Sequence, residues 1–143
     1  MCEHTAKHLL NYLMERNNHV SDICKSACFL LLMKTNELAQ IFTERQGFQI
    51  IEKWLKSECL KNDQLAYNVI ATLWILSYHE FALVPLGDYT LNIIELVSKV
   101  LDYFNKEKIV RIVCMFFDVS KISYKYLIEH KREQGLPRPS FND

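Results

Sequence analysis

The stretch Gln64-Leu65-Ala66-Tyr67-Asn68-Val69-Ile70-Ala71-Thr72-Leu73-Trp74-Ile75-Leu76-Ser77-Tyr78 contains neither Gly nor Pro. Its apolar residues Tyr67, Val69, Ile70, Leu73, Trp74 and Leu76 recur at helical spacing, which predicts a buried helix from Gln64 to Ser77. The polar corner Lys61-Asn62-Asp63 precedes it. A short helical stretch through Phe81, Ala82 and Leu83 follows, then a corner at Pro85 and Gly87. Beyond the corner, Leu91, Ile94, Leu96, Val97, Val100 and Leu101 mark an amphipathic helix from about Thr90 to Phe104.

The same order occurs upstream. Ser21-Asp22 is a helix start signal, because a short oxygen-bearing side chain accepts a bond from an otherwise unpaired amide. From Ile23 to Met33, the positions Ile23, Ala27, Leu30, Leu31 and Met33 form an apolar stripe that Phe29 and Leu32 widen. The corner Lys34-Thr35-Asn36-Glu37 leads to a short helix with Leu38, Ile41 and Phe42 that stops near Gly47. A third helix then carries Phe48, Ile50, Ile51, Trp54 and Leu55. Before this unit, Ala6–Arg16 places Leu9, Leu10, Leu13 and Met14 on one face, and Asn17-Asn18-His19 interrupts it. After the second unit, Ile109, Ile112, Val113, Phe116 and Phe117 start a third.

Buried, short and amphipathic helices thus follow one another twice. Comparing Gly47-Phe48-Gln49-Ile50-Ile51 with Tyr89-Thr90-Leu91-Asn92-Ile93-Ile94 gives a period of roughly 40 to 45 residues, within the armadillo and HEAT range. A single unit cannot bury its apolar face alone, whereas stacked units share a core. The expected fold class is all-α: an armadillo/HEAT-like helical repeat solenoid, a right-handed α-α superhelix of about two to three repeats. Residues 1–134 are expected to form the repeat domain and 135–143 a polar Pro-containing tail. Because at least about three repeats are usually needed for stability, the chain is expected to be a fragment of a longer solenoid or a truncated paralogue.

With these segments in place, the chain resembles the regulatory H subunit of vacuolar-type proton-pumping ATPases. Residues Gln64–Tyr78 look like that family's leucine-glutamine-tyrosine helix closing on tryptophan-leucine-leucine. Lys106-Glu107-Lys108-Ile109-Val110-Arg111-Ile112-Val113 is similar to its lysine-glutamate-lysine helix downstream. Cys24 to Met33, and Phe42 through Trp54 with Gly47 at the corner, follow in the family's order. The resemblance covers most of Leu9–Val119 and fades after Ser120. It implies the later part of the large N-terminal repeat domain, without the family's first helices or its C-terminal domain. It further implies a non-catalytic regulatory role in the V1 sector, coupling ATP hydrolysis to proton transport and silencing hydrolysis when that sector detaches. The implied partners are other V-ATPase subunits, especially the E and G subunits of the peripheral stalk and the V1 catalytic sector. The implied location is cytoplasmic, peripheral on the cytosolic face of vacuolar and other endomembranes.

Composition restricts the alternatives. Half of the 143 residues are hydrophobic, 24% are charged, and only 3 Gly and 3 Pro are present, which fits helices better than many short strands. Lys and Arg number 17, as do Asp and Glu, so no basic excess favours nucleic acid or an anionic membrane. The opening Met1-Cys2-Glu3-His4 lacks an export signal, and runs such as Cys28–Met33 are far shorter than the roughly 20 residues of a membrane span. A soluble protein reaching membranes only through its complex is expected. Five cysteines, Cys2, Cys24, Cys28, Cys59 and Cys114, are expected as reduced thiols.

Candidate chemistry is sparse, and catalytic, cofactor-binding and metal sites are all expected to be absent. His4 and His8 share a helix face at chelating spacing, with Cys2 nearby, but exposed residues at a helix end are the favoured reading. Cys24 and Cys28 read as core residues of an apolar helix. No glycine loop could cradle a nucleotide phosphate. Ser77, His79 and Glu80 are sequence neighbours at a helix end without a nucleophile turn, and Glu129–Glu133 reads as a solvated charged face. The aromatics Trp54, Trp74, Phe116 and Phe117 are expected in the core. Lys53, Lys56, Arg111 and Lys121 are the candidate partner contacts. A generic armadillo-like adaptor for peptides or transport cargo is the alternative function.

Overall fold

The computed structural model describes residues 3–15, 17–79 and 83–119, with backbone alone at 83–91. Helices α1 (Glu3–Leu13), α2 (Asp22–Leu32), α3 (Asn36–Glu44), α4 (Gly47–Lys56), α5 (Asp63–Leu76) and α6 (Leu83–Tyr103) are followed by α7 (107–119), with a 3₁₀ turn at Glu58–Lys61. The described residues contain no strand. The expected boundary at residue 134, the tail 135–143 and the charged run Glu129–Glu133 lie outside the described residues.

Local chemistry sets three of the helix starts. Ser21 caps α2 by accepting from the amide of Cys24, and Thr35 caps α3 by accepting from that of Leu38. Asn62 accepts from the amides of both Gln64 and Leu65 at the start of α5. Each cap satisfies donors that the first helical turn leaves unpaired. Asn18, which the sequence shows only as part of an interruption, ties the α1–α2 loop down. Its Nδ2 lies 3.2 Å from the carbonyl of Tyr12, 3.1 Å from that of Leu13 and 2.6 Å from that of Glu15, while its Oδ1 accepts from the amide of Val20.

The corner between α3 and α4 falls at Gly47, as the sequence predicts. Gln46, with φ of 68°, is the residue in the left-handed region, while Gly47 is already the first residue of α4. Gly47 is required by close approach: an added Cβ would lie 2.6 Å from Cζ of Phe42 and nearer still to its Cε1 and Cδ1.

Two other expectations need correction. No corner exists at Pro85 and Gly87, because α6 begins at Leu83 and runs through both. Pro85 falls in the first turn, where a backbone N–H has no intrahelical acceptor, so its missing donor removes no bond. Gly87 costs about 1 kcal/mol relative to Ala, against the burial of Ile93, Leu96, Val97 and Val100 further along. Phe81 and Ala82, expected in a short helix, are outside the described residues.

The second correction concerns the buried face of α2. Ile23 and Leu31 are 41% and 64% exposed, whereas Ser26, Phe29, Leu32 and Met33 are buried. In so apolar a helix every direction carries hydrophobes, so periodicity cannot choose. The buried face is set by α5, where the Asn68 amide donates to Ser26 Oγ at 3.1 Å. Gln64 donates to Asn68 Oδ1 at 2.9 Å, completing that buried polar link.

α2 packs on α5 and α4 packs on α6, pairing helices of corresponding order. Five side-chain hydrogen bonds between successive units recur at nearly one interval, whereas Asn11–Arg45, between α1 and α3, spans 34 residues. Ser26–Asn68 spans 42 residues, Asn36–His79 spans 43, Glu52–Asn92 spans 40, Asp63–Lys106 spans 43 and Gln64–Lys108 spans 44. This register matches the period read from sequence and is consistent with a helical repeat. One core runs through the described helices, from Leu10 in α1 to Phe116 in α7.

Asp63 anchors the start of α7 to that of α5, reaching Lys106 at 2.5 Å and Lys108 at 3.4 Å. The hydrogen bond from Lys106 holds its carboxyl below the usual carboxylate range, aided by the charges of Lys106 and Lys108. A depressed carboxyl stabilises the fold above its unfolded pKa, and that contribution vanishes as pH falls through the folded value. Asp63→Asn is therefore expected to lower the thermal midpoint at neutral pH. In paired melts at decreasing pH, the gap from wild type should close below the ordinary carboxylate range.

Candidate interaction surface

The ends of α1 and α2 and one side of α4 enclose an open groove of about 690 Å³. Gln49, Ile50, Lys53 and Trp54 of α4, followed by Ser57 and Glu58, form one wall, while Asp22 and Lys25 of α2 form another. Leu13, Met14 and Glu15 close the end that Asn18 holds in place. The amphipathic spacing of α4 explains its double role: Phe48, Ile51, Trp54 and Leu55 face the core, while Gln49 and Lys53 face solvent. Trp54 does both, with only 7% of its surface exposed, on the groove floor and 5.9 Å from the ring of Phe29.

Charge on the rim is mixed, with Lys25 and Lys53 beside Glu15, Asp22 and Glu58. An apolar floor under a rim of both signs suits a polypeptide segment better than a small anion. Of the candidate contacts, the structure places only Lys53 on this groove. Lys56 is one turn on, bonded to Glu52 at 3.1 Å, and Arg111 is exposed on the outer side of α7, paired with Glu107. Lys121 lies outside the described residues. Leu13, Met14, Asp22, Lys25 and Ser57 could not be singled out from sequence, because three separate segments meet here only after folding.

The remaining candidates are structural in this arrangement. Ser77 is buried and its Oγ donates to the Leu73 carbonyl at 2.7 Å. His79 Nε2 donates to the Met33 carbonyl at 2.7 Å, and Nδ1 lies 2.6 Å from the side-chain amide of Asn36, so the ring clamps the end of α5 to the α2–α3 turn. Glu80 lies outside the described residues. Trp54 and Phe116 are buried as expected, whereas Trp74 and Phe117 are only half-buried.

The cysteines divide differently from expectation. Cys24, expected in the core, is exposed, because it lies on the face of α2 turned away from α5; Cys28 is half-buried. Desolvation and the adjacent Cys24 push the Cys28 thiol up. Burial, with the nearby charges of Asp22 and Glu58, pushes the Cys59 thiol up to about 12. A disulfide-exchange reagent at neutral pH should therefore modify Cys24 and Cys114 in the native protein, both of which are exposed, and Cys59 only after unfolding. Mass spectrometry of the labelled peptides measures this order directly.

His4 and His8 are exposed on α1, one turn apart, with their rings edge to face. Cys2 lies outside the described residues, and among those residues no group of three or more His, Cys, Asp or Glu is arranged to hold a metal. Compared with known proteins, residues 3–120 match the family model for the N-terminal domain of the V-ATPase H subunit. No solved structure matches the chain.

Proposed function

The chain belongs to the V-ATPase H-subunit family, and on that premise we propose that it is a non-catalytic regulatory component of the proton pump's V1 sector, acting through protein contacts. The single observation that carries this reading is the family match across residues 3–120. In this reading residues 1–134 form an armadillo-like solenoid, a fragment of a larger one, followed by a tail at 135–143. Such a stack is stiff along its length, because each unit is braced by its neighbours, and stiffness keeps contact points at fixed spacing. The chain contacts the peripheral stalk formed by the E and G subunits and the V1 catalytic sector. These contacts couple ATP hydrolysis to proton transport. Among the described residues no helix is long and apolar enough to cross a membrane. Attachment to the cytosolic face of endomembranes is then made by the assembled pump.

The groove beside Lys53 and Trp54 is the proposed contact face. Tagged chain expressed with intact pump should recover the stalk subunits. Lys53→Glu, at an exposed position, should reduce that recovery about 5- to 10-fold with an unchanged thermal midpoint, since rim charges act on association more than on folding. Recovery of no pump component defeats the proposal. Capture of unrelated peptides through the same groove would instead favour an adaptor.

A further inference from the structure

We propose that His4 and His8 form a two-imidazole chelate for a borderline divalent transition-metal ion on the outer face of α1. Spacing alone favoured two unconnected exposed residues. The structure changes that reading, because the two Nε2 atoms face each other at 3.1 Å. The rings stand at 89° to each other with centroids 4.4 Å apart. Without metal, one Nε2 carries the proton and donates it to the lone pair of the other.

A metal replacing that shared proton would need little rearrangement. With metal–nitrogen bonds of about 2.0–2.1 Å, a nitrogen separation of 3.1 Å subtends an angle of roughly 100° at the ion. That value lies between the right angle of a square-planar or octahedral site and the tetrahedral angle. Imidazole nitrogen favours Ni²⁺, Cu²⁺ and Zn²⁺ over hard cations such as Mg²⁺, which prefer oxygen. Both ligands bind as neutral imidazoles, so the bridging proton moves by way of water to Nδ1 of the same ring, with no net release to solvent. The remaining coordination positions are filled by water or by a side chain of a partner docked on α1. The chelate also closes a ring across the first turns of α1, where Lys7 already ties the helix to α3 through Glu37 at 2.5 Å.

Titration of the full chain with NiCl₂, in a non-coordinating buffer, tests the site. Ni²⁺ is chosen because it does not oxidise the exposed thiols of Cys24 and Cys114. Calorimetry should show one Ni²⁺ per chain, and His4→Ala or His8→Ala should each weaken binding at least about tenfold, since each removes one of two protein ligands. Both residues are exposed, so neither substitution should alter the helical circular dichroism spectrum. Saturating Ni²⁺ should slow amide exchange within residues 3–13 of the wild type but not of His8→Ala. Wild type that takes up no Ni²⁺, or single variants that bind it as wild type does, would overturn the proposal. So would loss of binding on Cys24→Ser with both histidines intact. None of these outcomes depends on whether the chain is recovered with the pump.

Discussion

Phe29→Ala is expected to destabilise the protein by about 3–5 kcal/mol, the usual range for removing a fully buried aromatic side chain. Phe29 is 1% exposed and joins three helices, with its ring 5.0 Å from that of Phe42 on α3 and 5.9 Å from that of Trp54 on α4. Truncation would therefore leave a void bounded by two other rings, which α2 cannot fill without sliding on α5. The Asn68–Ser26 hydrogen bond opposes that sliding. Domains of this size are commonly stable by about 5–15 kcal/mol, so the loss is a large fraction of the total. The thermal midpoint should fall by roughly 10–20 °C. Phe29→Leu, which keeps most of the volume, should cost less than half as much. Denaturant unfolding of both variants checks the prediction, and equal midpoints for wild type and Phe29→Ala would show that this three-ring junction is not part of the core.

Gly47→Ala should destabilise by about 1–3 kcal/mol, the range for forcing extra volume into a packed core. The sign makes this prediction informative. Within a helix, Gly to Ala ordinarily gains about 1 kcal/mol from lower chain entropy and better propensity. Here the new methyl would meet the fully buried Phe42 ring at 2.6 Å or less, and Phe29 packs edge to face against that ring. Trimming the ring should relieve the clash. Gly47→Ala combined with Phe42→Leu should therefore cost less than the sum of the two single changes, a coupling that a double-mutant cycle measures by urea unfolding. Simple additivity would place the origin of any loss in the backbone at the corner.

The two halves of the molecule are unequally legible. Helix α5 can be read nearly to the residue, since its apolar positions are dense and Asn62 gives a clear start. The start of α6 is hidden, because Pro and Gly usually mark a corner. Pro85 is compatible with a helix only in its first turn, and where that turn begins depends on Ile93, Val97 and Val100 packing far downstream. Likewise, Gly47 is legible as a special position, but its reason is not. The left-handed conformation falls on Gln46, and the glycine is needed for a ring contact with Phe42, five residues earlier in sequence.

The sequence by itself determined helices as the regular structure of the described residues, a period of roughly 40 to 45 residues and a family resemblance that the match over residues 3–120 supports. Those properties reside in local propensity and in patterns repeated along the chain, which survive without knowledge of contacts. Tertiary structure alone decided which side of α2 is covered. It also decided that Leu13, Asp22 and Lys53 border one groove and that the two Nε2 atoms of His4 and His8 converge. An apolar helix offers several faces of nearly equal hydrophobicity, and a side chain several rotamers. Only packing against a particular neighbour, as in Ser26 against Asn68, selects among them.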